Sequence, residues 1–123
     1  MKRILSRTSL LMLPVALLAA GVLFAGSASA ATTLTGSVGP GFTISLKKSG
    51  KKVKSLKKGT YKIRVSDKSD IHNFHISGPG VNKRITSVDF KGTKTVTVKL
   101  KKGSYRYVCD PHSSDMHGSF KVR

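Results

Sequence analysis

The sequence predicts an all-β fold, an antiparallel Greek-key β-sandwich of about seven to eight strands, and three observations support it. Residues 31–123 show almost no helical periodicity. They contain short runs in which apolar and polar residues alternate, as in strands with one buried face. Gly, Pro, Ser and Lys-Lys pairs separate these runs at turn spacing. About ninety residues suffice for one modest hydrophobic core.

The predicted strands follow one another at short intervals. In chain order they are 34–38, 42–47, 53–56, 61–66, 71–76, 95–100, 105–109 and 120–122. Most are bounded by a glycine, proline or lysine-rich turn, and a polar loop over 67–70 separates the fourth from the fifth. This regular spacing favours two packed sheets over a single open sheet.

Turn signals and alternation define the first three strands. A Gly-Pro-Gly turn at 39–41 ends the first strand. In the second, Phe42, Ile44 and Leu46 alternate with polar residues, so their side chains are expected on one buried face. A Ser-Gly pair then closes a hairpin over 47–52. The lysines around the third strand favour a sheet edge, where charge discourages unwanted pairing.

The later strands are bounded in the same way. The run at 61–66 alternates most clearly, and a second Gly-Pro-Gly turn at 78–80 ends the strand that precedes it. Residues 81–92 are ambiguous, and short β pieces are expected around Ile85 to Phe90. Tyr107 and Cys109 are expected on one face of their strand, because successive side chains alternate between the faces.

Residues 1–30 are predicted to be a secretory signal peptide, and 31–123 to be the functional domain. Basic residues open the chain, an apolar run covers 10–25, and Ala28-Ser29-Ala30 fits a small-residue cleavage site. An uncleaved signal anchor is the alternative, although the run is short for a membrane span. The predicted location is therefore secreted, periplasmic or in the cell envelope, with no stable membrane span after cleavage.

The charge of the chain is strongly positive. Loss of Lys2, Arg3 and Arg7 with the signal peptide lowers the formal charge from +18 to +15. Such a surface attracts acidic protein partners and polyanions at low salt. We expect an acidic redox protein as partner, and association with anionic envelope polymers is an open alternative. Export and the absence of a recognition helix argue against nucleic acid.

The residues that can bind a soft metal cluster in two short segments. Beyond the signal peptide, the only Cys, the only Met and all four His lie within 72–75 and 109–117. A lone Cys in an exported protein is an intermolecular bridge, a reactive thiol or a metal ligand. Thiolate, imidazole and thioether together form a soft to borderline ligand set.

Strand geometry indicates which of these side chains converge. His72 and His75 should point to opposite faces, so they are not expected to share a metal. Pro111 favours a turn that brings His112 back toward Cys109, and the following loop returns Met116. His117 points elsewhere in most loop conformations, but it remains a competing axial ligand. Two His, one Cys and a weak axial thioether are the blue-copper pattern.

These segments resemble the cupredoxin family, near plastocyanin and amicyanin. The matching motifs are His72-Asn73, Tyr107-Val-Cys109-Asp-Pro111-His112 and Met116-His-Gly118. The resemblance extends to Gly39-Pro-Gly-Phe42, Gly78-Pro-Gly80 and the final strand, so that it covers most of residues 34–123.

The resemblance implies a single copper ion bound by His72, Cys109, His112 and Met116. It implies that Asn73 ties the two ligand segments together by hydrogen bonds. The counterpart of Asn73 after the cysteine is Asp110, where the family usually has Ser or Thr, and such contacts tune a metal. Three residues separate His112 from Met116, between the four of plastocyanin and the two of amicyanin. The edge of the His112 ring would be the electron port.

The sequence therefore predicts a secreted type 1 copper protein that carries single electrons between partners outside the cytoplasm, and not an enzyme. The alternative is non-redox copper binding, for storage or delivery. A structural zinc site is disfavoured, because Met is a poor zinc ligand. A Cys109 hydrolase is disfavoured because no oxyanion-binding loop or helix N-terminus accompanies the cysteine.

Overall fold

The computed structural model describes residues 30–123 and, ahead of them, Gly21. The predicted signal peptide therefore lies almost entirely outside the described residues. In the described part, the chain forms ten strands and a single turn of 3₁₀ helix at Asp110–His112. The strands are β1 (Thr32–Val38), β2 (Ile44–Lys48), β3 (Lys51–Lys52), β4 (Ser55–Leu56), β5 (Gly59–Asp67), β6 (Phe74–Gly78), β7 (Val81–Thr86), β8 (Gly92–Leu100), β9 (Gly103–Val108) and β10 (His117–Val122).

The strands form two five-stranded sheets. One has the order β3-β2-β1-β5-β8 and the other β4-β10-β9-β6-β7. The predicted all-β sandwich is confirmed, but its sheets are mixed rather than purely antiparallel. Strand β1 runs parallel to β5, and β4 runs parallel to β10. Alternation within a strand reports which face is buried and carries no information on the direction of its neighbour.

The core lies between the sheets and consists of side chains from both. Its largest fully buried members are Tyr105, Tyr107, Phe74, Leu34, Leu46, Ile63, Ile76 and Leu100. Burial of each such side chain contributes about 2 kcal/mol to folding. All ten strands and this core lie within residues 31–123, so this part of the chain has a complete core and is expected to fold without residues 1–30.

Three strand predictions need correction. Phe42 was expected on a buried face, but it lies in the loop before β2 and is 59% exposed. The strand expected over 71–76 begins only at Phe74 and extends to Gly78, so His72 and Asn73 precede it. Residues 81–86 form a full strand, β7, and 87–91 form a loop, whereas short pieces were expected around Ile85 to Phe90. The middle residues of β7 are all exposed, as on an edge strand, so they show no alternation.

Connections between strands gather at the two ends of the sandwich. The loop pole consists of the longer connections 39–43, 68–73, 87–91 and 109–116, each with the two strand residues on either side of it. The turn pole consists of three of the two-residue connections, 57–58, 79–80 and 101–102, each with the two strand residues on either side of it. Strand β5 runs from one pole to the other over nine residues. At about 3.3 Å per residue, this separates the poles by about 30 Å. No helix in the described part is long and apolar enough to cross a membrane.

Candidate metal centre

Two loops of the loop pole carry the predicted metal ligands. His72 lies in the loop that leads into β6, and Cys109, His112 and Met116 lie in the loop that follows β9. Strands β6 and β9 are antiparallel neighbours, and His75 is paired with Val108. The start of β6 therefore lies beside the end of β9, and this pairing brings the two loops together.

Three of the predicted ligands converge. The Nδ1 atoms of His72 and His112 are 3.0 Å apart. The Sγ of Cys109 is 3.7 Å from Nδ1 of His72 and 3.6 Å from Nδ1 of His112. His72 and Cys109 are fully buried, whereas His112 is half-buried. One thiol and two ring nitrogens thus face a common point just beneath the surface.

These separations fit a shared metal ion. A first-row ion about 2.0 Å from nitrogen and about 2.3 Å from sulfur, with three donors spread in a plane, separates nitrogen and sulfur by about 3.7 Å. Both observed nitrogen–sulfur distances match this value. The two nitrogens lie closer together than the same arrangement requires, by about half an ångström. The donor set is soft to borderline, which favours copper over a hard cation.

Backbone hydrogen bonds shape the loop that carries the cysteine. The amide of His112 donates to the carbonyl of Cys109 at 3.1 Å, which closes the 3₁₀ turn that contains Pro111. The amide of Met116 donates to the carbonyl of His112, and the amide of Cys109 donates to the carbonyl of Met116. Met116 is fully buried, and the adjacent His117 is exposed on β10. The loop therefore turns Met116 inward and His117 outward.

Asn73 and Asp110 join the two ligand loops directly. The side-chain amide of Asn73 donates to Oδ2 of Asp110 at 2.7 Å. The backbone amide of Asp110 donates to Oδ1 of Asn73, also at 2.7 Å. These residues are the chain neighbours of His72 and Cys109. Each hydrogen bond therefore restrains the position of a predicted ligand, as outer contacts do in metal sites.

Asp110 also binds two basic side chains that the sequence analysis did not connect with it. Its Oδ1 lies 2.9 Å from Nδ1 of His75, and its Oδ2 accepts from Nε of Arg84 at 3.1 Å. Burial raises the pKa of Asp110, but hydrogen bonds from His75, Asn73 and Arg84 outweigh it and lower the pKa overall. The sequence did contain a signal for these two contacts, namely Asp at position 110 where the family usually has Ser or Thr. A carboxylate near a buried thiol is stabilised by basic partners, so such partners could have been sought.

Phe42 covers the histidine rings. Its ring packs edge-on against His72 at a centroid distance of 5.3 Å and against His112 at 4.9 Å. The two imidazoles are themselves 4.8 Å apart in a T-shaped arrangement. The sequence analysis placed Phe42 in the core, yet this exposed ring forms part of the surface over the candidate ligands.

Buried polar groups lie beneath the loop pole. Asp67 is almost fully buried, and its Oδ1 accepts from the amide of Ser69 at 3.2 Å. Burial raises the pKa of its carboxyl, and the neighbouring Thr86, Ser69 and His72 offset this only in part. Within residues 30–123, the buried side-chain atoms without a hydrogen-bond partner are Oδ2 of Asp67 and Nε2 of His72.

Comparisons with known proteins point to the same chemistry. A family model described as copper binding proteins of the plastocyanin/azurin family matches residues 43–123. A single-substitution variant of rusticyanin aligns with 22% identity and a TM-score of 0.52, covering 74% of this chain and 76% of that chain. Reduced rusticyanin aligns with 24% identity and a TM-score of 0.50, covering 74% and 78%. No curated protein sequence matches the chain.

At these identities the structural likeness establishes the fold. The family match covers about two thirds of the chain and includes every predicted ligand. Together with the donor set, it is consistent with one bound copper ion at the loop pole.

Proposed function

The chain belongs to the plastocyanin/azurin family of copper-binding proteins, and from this premise we propose that it is a one-electron carrier. His72, Cys109, His112 and Met116 are the proposed ligands of a single copper ion. When bound, copper supplies a one-electron couple between Cu(II) and Cu(I) in a site whose ligands suit both states.

The convergence of one thiol and two imidazoles within 3.7 Å carries this proposal. The three donors come from two loops that the Asn73–Asp110 hydrogen bonds hold together. A site preformed in this way requires little rearrangement when its charge changes by one electron. The donor atoms of His72 and Cys109 are also excluded from solvent, which limits loss of the metal.

The proposed route for the electron is the half-buried ring of His112. Cys109 and Met116 are fully buried, so no partner can touch them directly. Phe42 packs edge-on against His112 and places an exposed apolar ring beside it. A partner would therefore approach this surface of the loop pole.

Burial argues against the alternative functions. A copper delivery protein needs ligands that its recipient can reach, yet three of the four proposed ligands are fully buried. A hydrolase would need a substrate to reach the thiol of Cys109, which is shielded in the same way. Zinc would leave the thioether of Met116 without a role, since zinc sites use nitrogen, oxygen and thiolate ligands.

We also propose that the protein is exported and that its redox partner is acidic. Cleavage after Ala30 would place the protein outside the cytoplasm, and the mass of the protein recovered from its native cell tests this prediction. If the net charge attracts an acidic redox partner, the association rate of the two proteins must fall as salt is added. A rate that does not respond to salt contradicts electrostatic attraction.

Repeated redox cycling tests the proposed function. Residues 31–123 are loaded with one equivalent of Cu(II), then reduced and reoxidised repeatedly in the presence of a competing Cu(I) chelator. An electron carrier keeps its copper and returns to the same spectrum after each cycle. Transfer of copper to the chelator during the first reduction would instead support delivery or storage and contradict electron transfer.

A further inference from the structure

The charges of the molecule are segregated between its two poles. All five acidic residues of the chain lie at the loop pole: Asp67, Asp70, Asp89, Asp110 and Asp115. The turn pole contains no acidic side chain. No acidic side chain therefore neutralises its excess of positive charge, and the molecule has a positive end.

Five exposed lysines form this positive end. They are Lys57, Lys58, Lys99, Lys101 and Lys102. Gly59 and Leu100 are paired in the β5–β8 ladder, so the turns at 57–58 and 101–102 lie side by side. Both ion pairs found in the described part of the chain involve Asp110, at the other pole. The ammonium groups of the turn pole are thus available to an external anion.

An electron partner does not explain this cluster. The turn pole lies about 30 Å from the proposed copper ligands, judged from the length of β5. An acidic protein bound there would be far from the half-buried ring of His112. The lysines of the turn pole therefore fit a function other than electron exchange.

We propose that the turn pole binds an anionic membrane surface through the phosphate groups of its lipids. Lysines near such a surface each strengthen binding, and clusters of four to eight basic residues are typical of lipid recognition. The position at which the chain enters the domain favours a membrane surface over a soluble polyanion as the binding partner. Ala30 and Ala31 lie beside Lys58 and Gly59, so the chain enters the domain at this pole. Only residues 26–30 separate the apolar run 10–25 from this entry point.

This arrangement orients the molecule. Five extended residues span at most about 18 Å, so any molecule that retains residues 1–30 in a membrane keeps the turn pole close to the lipid. After cleavage, the same lysines hold the domain there reversibly. In both cases the loop pole points away from the membrane, toward a partner.

Vesicle binding tests this proposal without copper. Metal-free residues 31–123 are mixed, at physiological salt, with vesicles of phosphatidylcholine alone or with about 30% phosphatidylglycerol. The test variant changes Lys57, Lys58, Lys101 and Lys102 to Gln. A matched control changes four exposed lysines outside the turn pole, namely Lys62, Lys68, Lys91 and Lys94, and so has the same net charge. Thermal unfolding verifies that both variants fold.

The wild-type domain is expected to bind the phosphatidylglycerol vesicles. The turn-pole variant should bind them several hundredfold more weakly, at about fivefold for each of the four lysines. The control variant loses much less, and neutral vesicles do not bind. Acetylation of the vesicle-bound protein should spare the turn-pole lysines and still reach Lys68 and Lys91. Equal loss in both variants, absence of vesicle binding, or turn-pole-dependent binding to soluble polyphosphate but not to vesicles would overturn the proposal.

Discussion

The two poles of the sandwich are built in opposite ways. The loop pole has long connections, two of which are joined by hydrogen bonds between the buried Asn73 and the partly exposed Asp110. The turn pole has two-residue connections whose lysines are exposed. A substitution at the loop pole should therefore disturb neighbouring side chains, whereas one at the turn pole should change only the surface charge. The predictions below test this difference, from the largest effect to the smallest.

Gly118→Ala should be the most damaging. Gly118 is paired with Tyr107, and an added Cβ would lie 2.2 Å from the Tyr107 ring and its hydroxyl oxygen. Tyr107 is buried and stacks on Phe74, so its ring has no free space to enter. Overpacking of this kind should lower the free energy of unfolding by about 3 kcal/mol. Urea denaturation of the metal-free protein measures it.

Gly41→Ala is the matched control for this change. No atom lies within 4 Å of an added Cβ at Gly41, although it too belongs to the loop pole. Its free energy of unfolding should stay within about 0.5 kcal/mol of the unsubstituted protein. If both alanine variants lost the same stability, close packing around Tyr107 would not be the cause.

Asn73→Ala should come next, with a loss of about 2 kcal/mol. The change removes both hydrogen bonds to Asp110 and leaves the Asp110 amide without its partner. Copper affinity, measured by competition with a chelator, should fall about 10- to 100-fold, because the two ligand loops are no longer joined. Asn82→Ala, which removes a contact with His75 but no hydrogen bond to Asp110, is the control. Equal effects in both variants would contradict the role of Asn73.

Asp67→Asn should stabilise the metal-free protein at neutral pH. Burial raises the pKa of Asp67, so the folded protein binds this proton more tightly than the unfolded chain does. Stability contributed by the protonated form is therefore lost as the pH rises from 3.8 through the folded-state pKa. Asparagine carries no charge and avoids this loss. Urea denaturation should show a gain at pH 7 that disappears well below 3.8. If the gain in stability persisted well below pH 3.8, the buried negative charge of Asp67 could not be its cause.

The combined substitution of Lys57, Lys58, Lys101 and Lys102 by Gln should have the smallest effect within the protein. None of these lysines lies in an ion pair of the described region. The midpoint of thermal unfolding and the copper spectrum should both stay unchanged. A large loss of stability would show that the turn pole contributes to the fold through its side chains, and the contrast between the poles would fail.

The order of residue types along short stretches of the chain was sufficient to predict the β-sandwich and the candidate ligands. Alternating residues indicated most strands, and the order of Cys109, His112 and Met116 within one loop indicated a metal site. Contacts that depend on the order of strands in a sheet could not be found in this way. Arg84 reaches Asp110 because β7, β6 and β9 are neighbours in one sheet. The confinement of all acidic residues to one pole likewise emerges only once the chain is folded.

The residues at which loops end and strands begin could not be predicted from the local alternation of apolar and polar residues either. Phe42 was expected in the core because its spacing from Ile44 and Leu46 matches a strand. The amide of Gly39 donates to the carbonyl of Thr43, which closes a tight loop and ends the strand pattern before β2. Phe42 is therefore free to pack on His72 and His112. An apolar residue beside a Gly-Pro-Gly turn can therefore pack against functional side chains at the surface instead of in the hydrophobic core.

The visible absorption spectrum of residues 31–123 with Cu(II) tests the central claim most directly. The account predicts an intense blue thiolate-to-copper band that disappears on reduction and returns on reoxidation. In Cys109→Ser this band should be absent, because the serine oxygen cannot replace the thiolate. A weak, pale spectrum that is the same with and without the cysteine would contradict a blue-copper site at the loop pole.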